Sequence, residues 1–330
     1  MTILFVFGIN DISRIHAVIN HEGKFMNVYD GNCFIRGQLP LKKGISSWVL
    51  LFGKGVKQRG VDFTKKPSLI FNEIADADTH RGALERCMEL CSQVDTTVIN
   101  RPEKILRTSR DRVSELLQGI PGVKMPKTVR FNPRSPEDVF EGAESENFDM
   151  PFIVRVAGDH GGKRMIRVNS REDYHALHVF PFDGRDFYLT EYVDYKDEAG
   201  LYHKQRIVVV EGEPVLRHSL YNSDWKVHSD SRKFMRERES WEASLARMNQ
   251  MDTELIPQLR PAIREISNRL QLEYFGVDCN IRPNGELLIF EANANMDILL
   301  NPYPEMNERL NKIHARIHAM LVKHSGEQVI

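Results

Sequence analysis

The 330-residue sequence lacks the features that mark secreted, membrane and nucleic-acid-binding proteins. Four cysteines are too few for a disulfide framework in a chain of this length, which favours reduced thiols and a cytoplasmic location. The apolar run from Ile3 to Phe7 has no basic flank and is far shorter than the roughly 20 residues that cross a bilayer. With 45 basic and 46 acidic side chains, no chain-wide field favours nucleic acid or an anionic membrane. We therefore expect no export signal, no membrane partner and no nucleic-acid partner.

Two common site motifs are also missing. The twelve histidines form neither an H-E-x-x-H motif nor a Cys/His zinc spacing, so a structural zinc site is not expected. The glycine-rich segment from Gly158 to Gly162 lies between two predicted strands, whereas a dinucleotide-binding G-x-G-x-x-G lies between a strand and a helix. A dinucleotide-dependent oxidoreductase is therefore disfavoured.

The composition that remains is that of a globular protein: 41% apolar and 28% charged residues, with 21 glycines and 15 prolines. A chain of this length exceeds what one hydrophobic core usually serves, so two or three subdomains are expected. Residues 1 to about 100 alternate short β-rich runs with helical patterns, which predicts an α/β unit with a parallel sheet. The charged segment 232–242 is interpreted as a solvated helix.

The segment from Phe275 to Asn293 carries the sharpest signal. It contains two β-rich runs joined by Pro-Asn-Gly, which predicts a hairpin. A loop of two or four residues would pair Asp278 directly with Glu291, whereas a three-residue loop ending in a glycine bulge would pair Asp278 with Phe290.

Paired carboxylates on one face of a hairpin point to a cation. Opposed like charges destabilise a strand pair unless something positive lies between them. In the first register Asn293 shares the face of Glu291 and adds an amide oxygen. Hard oxygen ligands without His or Cys select Mg²⁺ or Mn²⁺ over zinc. The alternative interpretation is an exposed acidic face without a metal.

These residues resemble a known family. Asp278 with Phe290-Glu291-Ala292-Asn293 resembles the metal-binding hairpin of the ATP-grasp superfamily, in its glutathione-synthetase-like and RimK-like carboxylate-amine ligase branch. Further segments are similar and follow in the family's order: the strand Phe152 to Arg155 with the glycine loop, the hinge strand Thr190 to Val193, and Lys204 to Arg206. Each motif alone is weak, but their order is specific.

The resemblance implies a mixed α/β fold: an N-terminal Rossmann-like unit (residues 1–100), a central ATP-grasp subdomain (101–192) and a C-terminal subdomain (193–330), α+β in its ATP-grasp part. The nucleotide would lie between two antiparallel sheets. Arg112 and Arg155 stand where the family usually has lysine. The resemblance assigns ATP to Arg112, Arg155, Gly158, Gly161, Gly162, Glu191, Tyr192 and Val193, the metal to Asp278, Glu291 and Asn293, and transferred phosphate or substrate to Arg206. Asp197 follows the hinge strand and is a candidate for the ribose hydroxyls or a solvated loop residue. Arg217, His218 and His228 follow the nucleotide strands and are candidate catalytic or substrate-binding residues, with an ordinary structural role as the alternative for each.

The implied function is an ATP- and Mg²⁺-dependent carboxylate-amine ligase that forms an amide or peptide bond through an acyl phosphate and releases ADP and phosphate. Its partners would be a small carboxylate and an amine acceptor, each an amino acid or peptide; a homodimer is left open. The alternatives are a phosphotransferase on the same fold and a non-catalytic ATP-binding regulatory module. Intact Asp278, Glu291 and Asn293 argue against the last.

Overall fold

The computed structural model describes residues 1–19, 23–39, 45–57, 66–162, 164–298 and 307–326. These residues form three larger sheets and one small two-stranded sheet, with helices packed on their faces. Within these ranges, no helix combines the length and the apolar character needed to cross a bilayer.

The N-terminal unit is built on a parallel sheet, as the sequence predicts. Its strands in spatial order are β4 (Ser46–Phe52), β1 (Thr2–Gly8), β5 (Leu69–Asn72) and β6 (Val98–Ile99). The remaining elements are β2 (His16–Ile19), β3 (Phe25–Val28), α1 (Ile35–Gln38) and α2 (Arg81–Gln93). Helix α2 buries Leu84, Cys87 and Cys91 on one face because residues three or four apart share a helix face. These side chains join β1 and β5 in one core.

The central sheet is antiparallel, in the order β10 (Met165–Val168), β9 (Phe152–Val156), β11 (Phe187–Glu191) and β8 (Thr128–Phe131). The helices of this region are α3 (Pro102–Ile105), α4 (Arg110–Leu117), α5 (Pro136–Ser145) and a 3₁₀-helix at Arg171–Val179. Ser135 caps α5 by accepting from the backbone N–H of Asp138. The core beneath this sheet includes Phe140, Phe152 and Phe187.

The C-terminal sheet is the largest. Its strands in order are β13 (Glu213–Asn222), β12 (Tyr202–Val210), β14 (Tyr274–Ile281), β15 (Leu287–Ala294) and β7 (Val123–Lys124). Its helices are α6 (Ser231–Arg236), α7 (Trp241–Glu254), α8 (Ile256–Leu270) and α9 (Asn307–Ser325). Strand β7 falls in the range predicted for the central subdomain, yet it pairs in parallel with β15. The subdomain boundaries at residues 100 and 192 stay a prediction.

Buried amides join the N-terminal sheet to the C-terminal sheet. Asn100 follows β6, and its Oδ1 accepts from the backbone N–H groups of Glu273 and Tyr274, both at 3.0 Å. Its Nδ2 donates to the Tyr274 carbonyl and to Asn295 Oδ1, the latter at 2.6 Å. Asn295 in turn donates to the Asn72 carbonyl at 2.8 Å. Because Asn295 follows β15 directly, these bonds hold the predicted metal hairpin against the N-terminal unit.

Candidate functional site

The hairpin of β14 and β15 reaches the predicted pairing by an unexpected route. Its loop has three residues, Pro283 to Gly285, and is closed by Arg282 N–H donating to the Glu286 carbonyl at 2.9 Å, with Gly285 at φ +81°. The pairing next to this loop, Ile281 with Leu287, would set Asp278 opposite Phe290.

A bulge corrects that register. Between Asp278 and Cys279 the pairing shifts by one residue, so Cys279 pairs with Ile289 and Asp278 with Glu291. The predicted Asp278–Glu291 pairing is confirmed, whereas the two- or four-residue loop from which it was argued is wrong.

A cavity of about 390 Å³ brings most of the predicted site residues together. Its walls come from the central sheet, the C-terminal sheet and helix α4. The predicted residues that line it are Arg155, Gly161, Gly162, Glu191, Tyr192, Val193, Arg206, His218, His228, Asp278, Glu291 and Asn293.

Each of the two opposed carboxylates is held by cations. Asp278 is only 1% exposed, and its oxygens accept from Arg206 Nε at 2.7 Å and Nη2 at 2.9 Å, and from Lys204 Nζ at 3.2 Å. Glu291 forms an ion pair with Arg110. Burial alone would raise the pKa of Glu291, but the charge of Arg110, and then that of Lys204, lowers it well below its ordinary value. Glu291 is therefore anionic at neutral pH, and each of the two carboxylates already has positively charged partners.

The donor set fits a hard divalent cation. Among the described residues, no three His, Cys, Asp or Glu side chains gather into a metal-binding group. The protein ligands would therefore be the carboxylates of Asp278 and Glu291 and the amide oxygen of Asn293, all lining one cavity. Mg²⁺ characteristically takes few protein ligands and completes its shell with phosphate oxygens and water. These three residues suit Mg²⁺ or Mn²⁺ and do not suit zinc.

The buried guanidinium group of Arg155 is suited to bind an anion. It is a buried residue of β9, it donates to the Asp159 carbonyl, and its Nε is buried without a hydrogen-bond partner. Burial, followed by the nearby charge of Arg110, lowers the pKa of Arg155 to about 9. A guanidinium that is desolvated and incompletely bonded gains most from a polyanionic ligand.

The other end of the cavity is aromatic and offers backbone groups. The Glu191 side chain is already committed, because it accepts from Lys124 Nζ at 2.7 Å and from the Lys127 N–H at 3.1 Å. The backbone N–H of Glu191 donates to the Lys127 carbonyl at 2.9 Å, so what Glu191 can offer a ligand is its backbone carbonyl. Tyr195 packs on Phe290 with ring centroids 4.8 Å apart, and both rings line the cavity. A flat base fits between such rings and a strand end.

The two predicted catalytic histidines are neutral in this environment. His218 lies directly opposite Arg206 in the pairing of β12 with β13. Burial, and then the charge of Arg206, lowers the pKa of His218 well below its ordinary value. Burial, and then Lys204, also lowers the pKa of His228, whose Nε2 is buried without a partner and whose ring contacts Gly162. Each imidazole is thus a hydrogen-bonding group rather than a fixed charge.

Comparisons with known proteins address the fold. No protein-family model matches the sequence, and no curated protein matches it. The structure is similar to the D-alanine–D-alanine ligase from Bacillus anthracis, with a TM-score of 0.59 and 9% identity over 98% of this chain and 97% of that one. The VanG D-Ala:D-Ser ligase from Enterococcus faecalis gives 0.57 and 14% over 98% and 99%. The chain has the ATP-grasp fold.

A third structure agrees: the RimK-domain ATP-grasp protein from Sphaerobacter thermophilus has a TM-score of 0.52 and 12% identity, over 96% of this chain and 99% of that one. The chain spans 54% of the length of the carboxyaminoimidazole ribonucleotide synthase from Aspergillus clavatus, which it also matches. The predicted fold, an α/β unit followed by two antiparallel sheets with a cavity between them, is confirmed. The branch within the ATP-grasp superfamily stays a prediction.

The structure places the side chain of Arg112 away from the cavity. Its side chain is 61% exposed, pairs with Glu115 at 3.0 Å and does not line the cavity described above. Arg110 lines the cavity instead and pairs with Glu291. The helical period could have shown this, since Arg110 lies three residues before the buried Val113.

Three other predicted residues lie outside the lining of the ATP-grasp cavity. Gly158 packs against Thr79 of the N-terminal unit. Asp197 accepts from the Leu201 N–H and lies 2.8 Å from His203 Nε2 of β12. Arg217 is buried in β13.

The structure also adds residues to the site. The cavity is also lined by Lys204, Trp225 and Lys226, and by Arg232, which begins the segment predicted to be a solvated helix.

Proposed function

We propose that the chain is an ATP-dependent carboxylate-amine ligase that forms an amide or peptide bond through an acyl phosphate. The observation that carries the proposal is the pairing of Asp278 with Glu291 inside a cavity that Arg155 and the glycines Gly161 and Gly162 also line. The ATP-grasp fold supports a nucleotide ligand in this cavity but does not by itself define a reaction.

ATP would lie along the cavity with its base at the aromatic end. The backbone of Glu191 to Val193 would contact the base, beside Tyr195 and Phe290. The triphosphate would then extend towards Arg155 and Arg110, with the backbone N–H groups of Gly161 and Gly162 available to its terminal oxygens.

Asp278, Glu291 and Asn293 would hold Mg²⁺ or Mn²⁺, which when bound neutralises phosphate charge and orients the terminal phosphoryl group. The protein's own contribution is a set of positive groups that stand in place before the reaction begins. Arg206 and Lys204 already surround Asp278, and Arg110 contacts Glu291. Such preorganised charge is usually the largest contribution to phosphoryl transfer.

The reaction has two steps. A carboxylate oxygen of the first substrate attacks the γ-phosphorus, the bond from that phosphorus to the β–γ bridging oxygen breaks, and ADP leaves. The amine nitrogen of the second substrate attacks the acyl carbon, the carbon–oxygen bond to phosphate breaks, and the nitrogen loses a proton. His228 is suited to accept that proton because its Nε2 lies in the site, neutral and without a partner.

Paired substrate screening tests the proposal. Amino acids and short peptides are combined as carboxylate and amine donors with ATP and Mg²⁺, and ADP, phosphate and products are measured. We expect ADP release that needs both substrates, and ¹⁸O from a labelled carboxylate in the released phosphate. A phosphorylated product that accumulates without amine would identify a phosphotransferase instead. ATP binding without ADP release for any pair would support the regulatory module.

Replacing Arg110 tests the ATP assignment in this cavity. Arg110→Ala removes a charged donor beside Glu291, and charge-assisted hydrogen bonds contribute about 1.5–3 kcal/mol. We expect the Kd for ATP with Mg²⁺ to rise about 10- to 100-fold in isothermal titration calorimetry. Arg112→Ala, two residues away on the exposed face, is the matched control and should change the Kd less than twofold. Equal effects of the two substitutions would contradict the assignment of Arg110.

A further inference from the structure

The glycine loop, residues 158–162, is attached to the N-terminal unit by a side chain. His160 Nε2 lies 2.8 Å from Asp76 Oδ2. Asp76 is only 8% exposed and follows β5 in the N-terminal unit. It is held by its own turn, because it also accepts from Thr79 Oγ1 at 2.6 Å and from the Asp78 N–H at 2.8 Å. His160 therefore reaches a carboxylate whose position does not depend on the loop.

A second contact places the loop backbone on the same turn. Gly158 has φ +75°, and a Cβ at this position would lie 2.5 Å from Thr79 Cγ2. A side chain there would therefore force the loop away from the turn. The neighbouring Asp78 accepts from Tyr188 Oη at 2.8 Å and pairs with Arg130, both on strands of the central sheet. The turn from Asp76 to Thr79 thus contacts both the central sheet and the glycine loop.

The loop joins this turn to the cavity. Gly161 and Gly162, which follow His160 directly, line the cavity, and Gly162 contacts the ring of His228. Fixing His160 therefore restrains the backbone of the next two residues, which line the cavity of the proposed phosphate site.

We propose that His160 is a positioning residue whose bond to Asp76 holds the glycine loop closed over the phosphates of ATP. This inference rests on the proposed function for its catalytic consequence, whereas the docking of the loop on the N-terminal unit does not. In the closed loop the N–H groups of Gly161 and Gly162 are in place before ATP arrives, so less ordering is needed on binding.

The contact between His160 and Asp76 depends on pH, because both side chains titrate. The hydrogen bond to Asp76 raises the pKa of His160. Burial opposes ionisation of Asp76, but its bonds to His160 and Thr79 lower its pKa to about 2. Other charged or titratable groups near the pair include Asp78 on the same turn, Glu291, Arg110 and His80, and the ion pair of Asp159 in the loop with Arg164 just beyond it.

The ionic contact is complete while His160 is protonated and Asp76 is ionised. It is lost as pH rises through the raised pKa of His160, and it persists on the acid side until pH falls towards 2. Because His160 is 62% exposed, solvent screens the interaction and the effect is moderate.

Limited proteolysis tests the docking without any assay of ligation. An arginine-specific protease can cleave after Arg164, just beyond the loop, and does not recognise the new side chain of His160→Lys. We expect His160→Gln and Asp76→Asn to raise the cleavage rate about 3- to 10-fold over wild type at pH 7, and His160→Lys, with a permanent charge, to restore it. His175→Gln, an exposed histidine of the same subdomain, is the control and should not change it. Unchanged cleavage in both His160→Gln and Asp76→Asn would overturn the proposal.

Kinetics then separate this inference from the proposed function. Once a substrate pair is known, His160→Gln should raise the KM for ATP about 3- to 10-fold with a smaller change in kcat. The wild-type KM should rise above neutral pH, whereas that of His160→Lys should stay level. Ligation with an unchanged KM in His160→Gln would reject the role of His160 and retain the ligase. Faster loop cleavage in a protein that ligates no substrate pair would reject the ligase and retain the docking.

Discussion

Glu291→Gln is expected to lower the rate of ADP release about 10³-fold at saturating substrates, which corresponds to roughly 4 kcal/mol of transition-state stabilisation. Glutamine keeps the shape of the side chain and one oxygen, but it removes the charge that faces Asp278 and pairs with Arg110. A neutral amide is a weaker ligand for a hard divalent cation than a carboxylate. The half-saturating concentration of Mg²⁺ should therefore rise in the same variant.

The fold should survive this substitution, because glutamine keeps an oxygen that can accept from Arg110, and Asp278 keeps Arg206 and Lys204 as partners. Glu286→Gln is the matched control: Glu286 lies on the same hairpin, pairs with Arg282 at 2.9 Å and does not line the cavity. We expect it to stay within twofold of wild type. Wild-type turnover in Glu291→Gln would contradict the metal assignment. So would an equal decrease in the melting temperatures of Glu291→Gln and Glu286→Gln.

The hairpin shows which part of the pairing of Asp278 with Glu291 could be predicted from the sequence and which part could not. The Pro-Asn-Gly loop and the alternating strands are local signals, so the hairpin itself could be predicted. The three-residue loop moves the register by one, and the bulge beside Asp278 moves it back. The bulge lies where the other edge of β14 pairs with β12: Arg206 pairs with Asp278, and β12 has its own irregularity next to Arg206. A hairpin considered alone does not contain that neighbour.

For Arg112 the situation is the opposite, because the local pattern of α4 already indicates that Arg110 is the arginine on the inner face. The buried Val113 and Leu117 define the inner face of α4, and Arg110 continues this face by one turn. The family resemblance predicts a positively charged side chain on this helix, but it does not determine whether Arg110 or Arg112 faces the cavity.

Other parts of the site depend on contacts between residues far apart in the chain. Lys124 holds Glu191, and Asp76 contacts His160 across 84 positions of sequence. Neither Lys124 nor Asp76 has a distinctive local pattern, since each resembles an ordinary charged residue in a loop or strand. Their partners follow from how the sheets pack, which periodicity and turn signals do not specify.

The amides that join the sheets provide the largest expected effect on stability. Asn100→Ala would leave the backbone N–H groups of Glu273 and Tyr274 buried without acceptors and would remove the partner of Asn295 Oδ1. Each buried polar group left unsatisfied costs about 1–3 kcal/mol, so we expect a loss of about 3–5 kcal/mol in the free energy of unfolding.

Part of any effect at Asn100 comes from its backbone, which has φ +52°. Asn147→Ala isolates that part, because Asn147 has φ +55° and an exposed side chain, and it should cost only about 1 kcal/mol. The measurement is the urea midpoint by circular dichroism for both variants. Because Asn295 lies directly after β15, Asn100→Ala should also weaken ATP binding at temperatures where the chain is still folded, whereas Asn147→Ala should not. Equal midpoints for the two variants would show that the strained backbone, rather than the buried amide, dominates at Asn100.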